Sequence, residues 1–397
     1  MLKKHILTIR IFLFSFLVDL VRGIFFACFL YNLKSRGVPV QTVVAGYSIL
    51  QFILSFLEPV SGLFADSKGR KFSTLLGISL YILGLFILSF DVTTLSVLIS
   101  FSLAGIGQTL FQGARHAWLI TSHRQFGQSE LSNKSMFFGL DILRRTGLVL
   151  GAFIAESNPE IIWHVASIIG ACGVLVGFSI GNVPIVKSKL DFSSAFKEFT
   201  PVNQNRVLWG ILAMTAIYGI EAGNRDSITQ IFVKDFLGNG EQFAMTYLQL
   251  GVAVSGIFGS LVYLNFLKDI SPKIMICGSL ITVGIVQYVC AFYVYNLELF
   301  YFLFSLQCFT LGWFYPLCDL LLYNSVKEKY KATALSMQNM ADGFMQGLTC
   351  LVISKFLIND LEINKIWLVG SASAFICVLV LNIFLLPANS QIQEETK

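Results

Sequence analysis

The stretch GLFADSKGRK, residues 62–71, sets two glycines, one acid and three bases between two long apolar runs. Those runs, 41–64 upstream and 73–91 downstream, suit the roughly 20 residues that an α-helix needs to cross a bilayer core of about 30 Å. A short charged turn between them marks a place where the chain leaves a membrane and re-enters it. There Gly69 supplies the tight turn, and Lys68, Arg70 and Lys71 hold the loop on the basic side of the membrane. Gly62 is expected to let another backbone come close. Asp66 is the odd member, an acid on a basic face, placed to pair with Arg70 or to face a neighbouring helix N-terminus.

The alternation continues along the chain. Apolar runs at 8–32, 41–64, 73–91, 94–120, 136–156, 160–183, 206–233, 243–266, 273–295, 298–323, 332–357 and 364–386 give twelve expected spans. Of the 397 residues 55% are hydrophobic and 13% charged, against about 25% charged in soluble domains. The runs are continuous and rich in Phe, Leu and Ile, which excludes a β-barrel with its alternating strands of about ten residues. The first run carries Asp19 and Arg22 and lacks a small-residue cleavage site, so it is read as a retained helix rather than a secretory signal.

The longest polar interruption, residues 184–205, divides the spans six and six. The expected organisation is an all-α membrane protein of twelve transmembrane helices in two pseudo-symmetric six-helix bundles. The N-terminal bundle covers 1–183, a cytoplasmic linker 184–205, the C-terminal bundle 206–389 and a cytoplasmic tail 390–397. Within the linker, Leu190, Phe192, Ala195, Phe196 and Phe199 fit one face of a short interfacial helix, with a plain tether as the alternative. The net charge of +5 follows topology rather than nucleic-acid binding: with Lys3 in the cytoplasm, eighteen of the bases in the loops and at the span ends fall on that side and five on the other. Both termini are therefore expected in the cytoplasm. The eight cysteines all lie in apolar runs with no CxxC pair, and the four histidines have no ligand spacing, so no metal and no cofactor are expected.

The opening stretch resembles the G-x-x-x-D-x-x-G-R-[RK] signature that the major facilitator superfamily carries between its second and third helices. Gly62, Asp66, Gly69, Arg70 and Lys71 match it, Ser67 departs from it, and Glu58, Pro59 and Ala65 extend it upstream as in one group of bacterial members. The resemblance implies that the loop latches the two halves in an outward-facing state, which gives Asp66, Gly69 and Arg70 a gating role. It also implies that the first, fourth, seventh and tenth helices line a central cavity. Two departures from the drug-antiporter pattern stand in the first half. Phe101 and Thr121 replace a fourth-helix Arg and acid, and Ala152 replaces a Pro near Gly147 and Gly151.

A charge at the centre of a membrane helix costs roughly 2.5–3.5 kcal/mol on insertion scales, so charges retained there face a cavity or each other. The first half offers Asp19 and Arg22, then Gln108, Gln112 and Arg115, then Asp141, Arg144 and Arg145. The second offers Glu221, Asn224, Arg225 and Asp226, then Trp313 and Asp319, then Gln338, Asp342 and Gln346. The expected substrate and proton site takes Asp19, Arg22, Gln108, Gln112, Arg115, Glu221, Asn224, Arg225, Trp313 and Asp319. Burial favours a protonated Asp19 and the two arginines favour its carboxylate, which makes it the expected proton carrier with Arg22 and Arg115 as tuners and anchors for an anionic group. Pro59 and Pro316 are expected as helix kinks.

No phosphate-binding loop GxxxxGK[ST] is present, so the expected energy source is an ion gradient, with protons as the coupling ion. The expected protein is a monomeric secondary transporter in the lipid bilayer of a bacterial inner membrane, working by alternating access and exporting a small organic molecule, with metabolite import as the alternative. A sensor or membrane-embedded enzyme on the same scaffold is the remaining alternative; no nucleophile and base stand in register for one. Reporter fusions after Lys134, within 187–200 and after Lys329 should read cytoplasmic, and those near Lys34 and Glu298 periplasmic. A periplasmic 187–200 segment would contradict twelve spans.

Overall fold

The computed structural model describes residues 2–90, 92–123, 133–181, 206–237, 242–294, 296–325, 331–356 and 363–385. The expected linker and tail lie outside them. Twelve α-helices run through the described residues: α1 (Leu2–Ser35), α2 (Val40–Lys68), α3 (Arg70–Ile87), α4 (Thr94–Ser122), α5 (Asn133–Ser157), α6 (Ile162–Phe178), α7 (Arg206–Ile231), α8 (Ala244–Val262), α9 (Pro272–Phe292), α10 (Leu297–Ser325), α11 (Lys331–Phe356) and α12 (Ile363–Leu385). No strand occurs among the described residues. Short π-helical turns, Phe232–Leu237 and Tyr263–Leu267, continue α7 and α8. α2 and α10 run on through Pro59 and Pro316.

Local chemistry sets several of the ends. Thr93 Oγ1 accepts from the Ser96 amide at 3.1 Å while Ser96 Oγ accepts from the Thr93 amide at 2.8 Å, a reciprocal cap that opens α4. Pro272 takes the first position of α9, where its missing N–H costs nothing. Gly69 divides α2 from α3 at φ 102°, a left-handed backbone that only glycine adopts without strain.

Eight of the helices are long and apolar enough to span a bilayer unaided. α6 is apolar but only 17 residues long, and α5, α7 and α11 carry in-helix charges that lower their apolarity. Large apolar side chains face outward, with Leu175 69% and Phe302 66% exposed, a surface suited to lipid and not to water. This is a multi-pass membrane protein.

The chain forms two compact units, Met1–Leu190 with Gly240–Gln249, and Asp191–Asn239 with Leu250–Lys397. In the first, α1 packs on α5 and α6, α3 on α4 and α6, and α2 on α4. In the second, α7 packs on α11 and α12, and α9 on α10 and α12. The pairs 1–5, 1–6, 3–4 and 3–6 thus recur as 7–11, 7–12, 9–10 and 9–12, the pseudo-symmetry of a duplicated six-helix unit.

The start of α8 belongs to the first unit because Glu156, at the end of α5, binds it. Its buried carboxylate accepts from the Met245 amide at 2.9 Å, the Thr246 amide at 2.7 Å and Thr246 Oγ1 at 2.6 Å. Two of the free N–H groups of the helix end are satisfied, and the positive end of the helix dipole meets an anion. Capping contacts of this kind contribute about 0.5–2 kcal/mol. Glu156→Ala should speed amide hydrogen exchange in a peptide covering 243–249, with Glu156→Gln intermediate because one acceptor remains. Unchanged exchange in Glu156→Ala would show that the contact does not hold the segment.

Candidate functional site

On α1, Asp19 sits at zero exposure near the middle of the helix, and the fold brings both expected arginines to it. Arg115 Nη1, from α4, donates to Asp19 Oδ1 at 3.0 Å, and Arg22 Nη1, one turn along α1, reaches the same oxygen at 3.5 Å. Ser15 Oγ, one turn earlier, lies 3.4 Å from Oδ2. Two guanidiniums share one carboxylate, so the group carries one net positive charge. Nε of Arg22 and Nε of Arg115 are buried without an acceptor. An unmet donor on a buried guanidinium is costly, which makes both atoms candidates for a ligand oxygen.

Glycine sets the depth of this group. A Cβ on Gly147 of α5 would lie 2.9 Å from Leu20 N and 3.2 Å from Asp19 Cβ, and one on Gly151 would lie 2.5 Å from Ile24 N. α5 therefore rests on the α1 backbone at Asp19, which any larger side chain would prevent.

On α7, Glu221 is fully buried and receives more donors than the sequence suggested. Arg225 Nη1, one turn on, reaches its two oxygens at 3.2 and 3.1 Å, and Arg225 Nε donates to Asp226 Oδ1 at 3.1 Å. Gln287 Nε2 from α9 and Gln307 Nε2 from α10 both donate to Glu221 Oε1, the latter at 2.9 Å. The two glutamines went unremarked in the sequence because no charged residue lies one turn away from either. Their signal was present all the same, as lone amides in the apolar stretches ITVGIVQYVC (281–290) and LFSLQCFTLGW (303–313).

The remaining expected residues divide. Gln108 is buried and donates to Oε1 of Gln112, which is exposed, at 3.2 Å. Asn224 is buried with Nδ2 unpartnered. Trp313 lies in the apolar core of the second unit, edge-on to Phe309 at 5.0 Å, with its indole N–H unpartnered. Asp319 is exposed and accepts from Gln338 Nε2 at 3.3 Å. Phe101, in place of a charged residue, is buried in an aromatic cluster with Phe25 and Phe29. Among the described residues no group of His, Cys, Asp and Glu is placed to hold a metal ion.

In the opening stretch, a Cβ on Gly62 would meet nothing within 4 Å among the described residues. The Asp66 side chain lies outside the described residues. Lys71 has a task the sequence did not suggest: its Nζ donates to the Phe178 carbonyl at 3.0 Å and the Ile180 carbonyl at 2.5 Å, where α6 ends. Arg10 adds a bond to the Ser179 carbonyl at 3.2 Å and Trp118 one to the Gly181 carbonyl at 3.3 Å. Bases at a helix C-terminus meet the negative end of its dipole, so part of the motif secures α6 within its own unit.

No family model matches the sequence, and no curated protein sequence matches it. Solved structures do. A mutant of nucleoside transporter NupG superposes with a TM-score of 0.82 at 14% identity, covering 96% of this chain and 100% of that one. A POT family transporter in complex with a thioalcohol-conjugated peptide gives 0.77 at 12% identity over 96% of each chain. The human organic anion transporter MFSD10 gives 0.66 at 14% identity over 95% of this chain and 99% of that one. At such identities the likeness is one of fold, and each of these proteins is a transporter. The chain has the twelve-helix fold of the major facilitator superfamily.

Proposed function

We propose that the protein is a secondary active transporter that moves a small organic solute bearing an anionic group, by alternating access and at the expense of a proton gradient. One observation carries the reading: Arg22 and Arg115 are held by a single carboxylate in the apolar interior of the first unit, with one charge to spare and two buried N–H groups without acceptors. Such an arrangement is costly for stability alone and suits an oxyanion that arrives and leaves. The charge of Asp19 keeps the arginines apart and oriented when no solute is bound.

The transporters of similar fold support solute movement, since their names give nucleosides, peptides and organic anions as cargo. Residence in a bacterial inner membrane with both termini in the cytoplasm, a monomeric state and the export direction belong to the same proposal. So does a latch role for Asp66 and Arg70 in the turn at Gly69.

Counterflow in proteoliposomes tests the reading, with a labelled nucleoside, dipeptide and organic anion as first probes and a broader metabolite panel behind them. Wild-type protein should exchange at least one labelled solute and accumulate it under a pH gradient. Arg115→Gln, eluting as a folded monomer, should lose that exchange. Accumulation in inside-out vesicles marks export, and in right-side-out vesicles import. Absence of exchange across the panel would sink the transport reading, and accumulation indifferent to the pH gradient would sink the proton coupling.

A further inference from the structure

We propose that Asp342, on α11, is the proton-binding site of the second unit and the carrier of the coupling proton; this rests on the proton-coupled reading above. Asp342 lies near the middle of α11 and directly against α7, because Gly219 leaves room for it. A Cβ on Gly219 would lie 2.6 Å from the Asp342 carbonyl oxygen and 3.1 Å from its Oδ1. On its own helix, Gln346 Nε2 donates to Oδ2 at 3.0 Å. Oδ1 is buried and has no donor at all.

The charges around it leave the carboxylate uncompensated. The charges of Glu221, Arg225 and Asp226 on α7 reach it electrostatically, as does the hydroxyl of Tyr315 on α10. Arg225 is the base among these groups, and its guanidinium is committed to Glu221 and Asp226 through bonds of 3.1–3.2 Å. Of the three carboxyl groups, two hold the Arg225 guanidinium and Asp342 is the one left out. An anionic oxygen buried without a donor costs several kcal/mol, while a neutral acid in the same place costs far less. A proton on Oδ1 removes the penalty and reduces the mutual repulsion of the three acids.

The same geometry makes that proton releasable. Arg225 is held by two acids within one turn of α7, so a small shift of α7 along α11 that turned the guanidinium toward Asp342 would supply the missing partner and expel the proton. Asp19, the carrier expected from the sequence, and Glu221 differ from Asp342 in this respect, since each already has a guanidinium on it, and the proposal moves the role to Asp342.

Infrared spectra of the full-length protein in lipid bilayers test the proposal, because the C=O stretch of a protonated carboxyl stands apart from carboxylate bands. Wild-type protein at neutral pH should show an acid band that shifts in D2O, is missing from Asp342→Asn and returns at a displaced position in Asp342→Glu. No acid band in the wild type, or one unchanged in Asp342→Asn, would overturn the assignment whether or not any solute is found. A second arm uses a pH-sensitive dye inside proteoliposomes and whichever labelled nucleoside, dipeptide or organic anion gave exchange. Asp342→Asn should keep solute exchange and lose solute-driven proton movement. Wild-type proton movement in that variant would overturn the carrier role. Failure of wild-type protein to exchange any solute would instead count against the transport reading and leave the infrared result to decide Asp342.

Discussion

A carboxylate in the middle of an apolar helix has no water to share its charge with, so the fold must bring a partner to it. Much of this structure answers that constraint. Asp19 draws Arg22 from its own helix and Arg115 from α4, and Glu221 draws Arg225 from its own helix and amides from α9 and α10. The helices that deliver these partners must stay in register, and glycines such as Gly147 and Gly219 let the backbones approach closely enough to keep it.

The duplicated unit repeats the device with a change of charge. In each half the acid sits near the middle of the opening helix, with an arginine one turn later. In the first half the fourth helix adds a second cation, which leaves an excess of positive charge. In the second half the corresponding helix α10 adds a neutral glutamine, while further acids from α7 and α11 turn the balance negative. The two halves therefore differ in the sign of their buried charge, which is the basis of the proposal that one takes an anionic group and the other a proton.

How much of this could be read from the sequence depended on the range of the interactions. Helix number and type followed from apolar run length: the run 136–156 became α5, Asn133–Ser157, and the turn at Gly69 took the backbone its neighbours required. Asp19, Arg22, Arg115, Glu221 and Arg225 were legible because charge in an apolar run is conspicuous. Their pairings within one helix followed from spacing. Of the long-range partners, Arg115 was expected at Asp19 and the others were not. Gln287 and Gln307 have no charged neighbour one turn away to mark them, and the cap that Glu156 places on α8 joins residues about 90 positions apart. Lys71 looked like a marker of topology and proved also to be a helix cap.

The central claim is that Asp19 is what holds two guanidiniums in the apolar interior. A double-mutant cycle on Asp19→Asn and Arg115→Gln, read from unfolding midpoints of the purified protein, tests it most directly. Asp19→Asn alone should be the most destabilising member, because it leaves both guanidiniums uncompensated. Adding Arg115→Gln should recover part of the loss, with a coupling free energy of about 0.5–3 kcal/mol. Strictly additive losses would show that the carboxylate does not bind Arg115 in the folded protein, and would contradict the account.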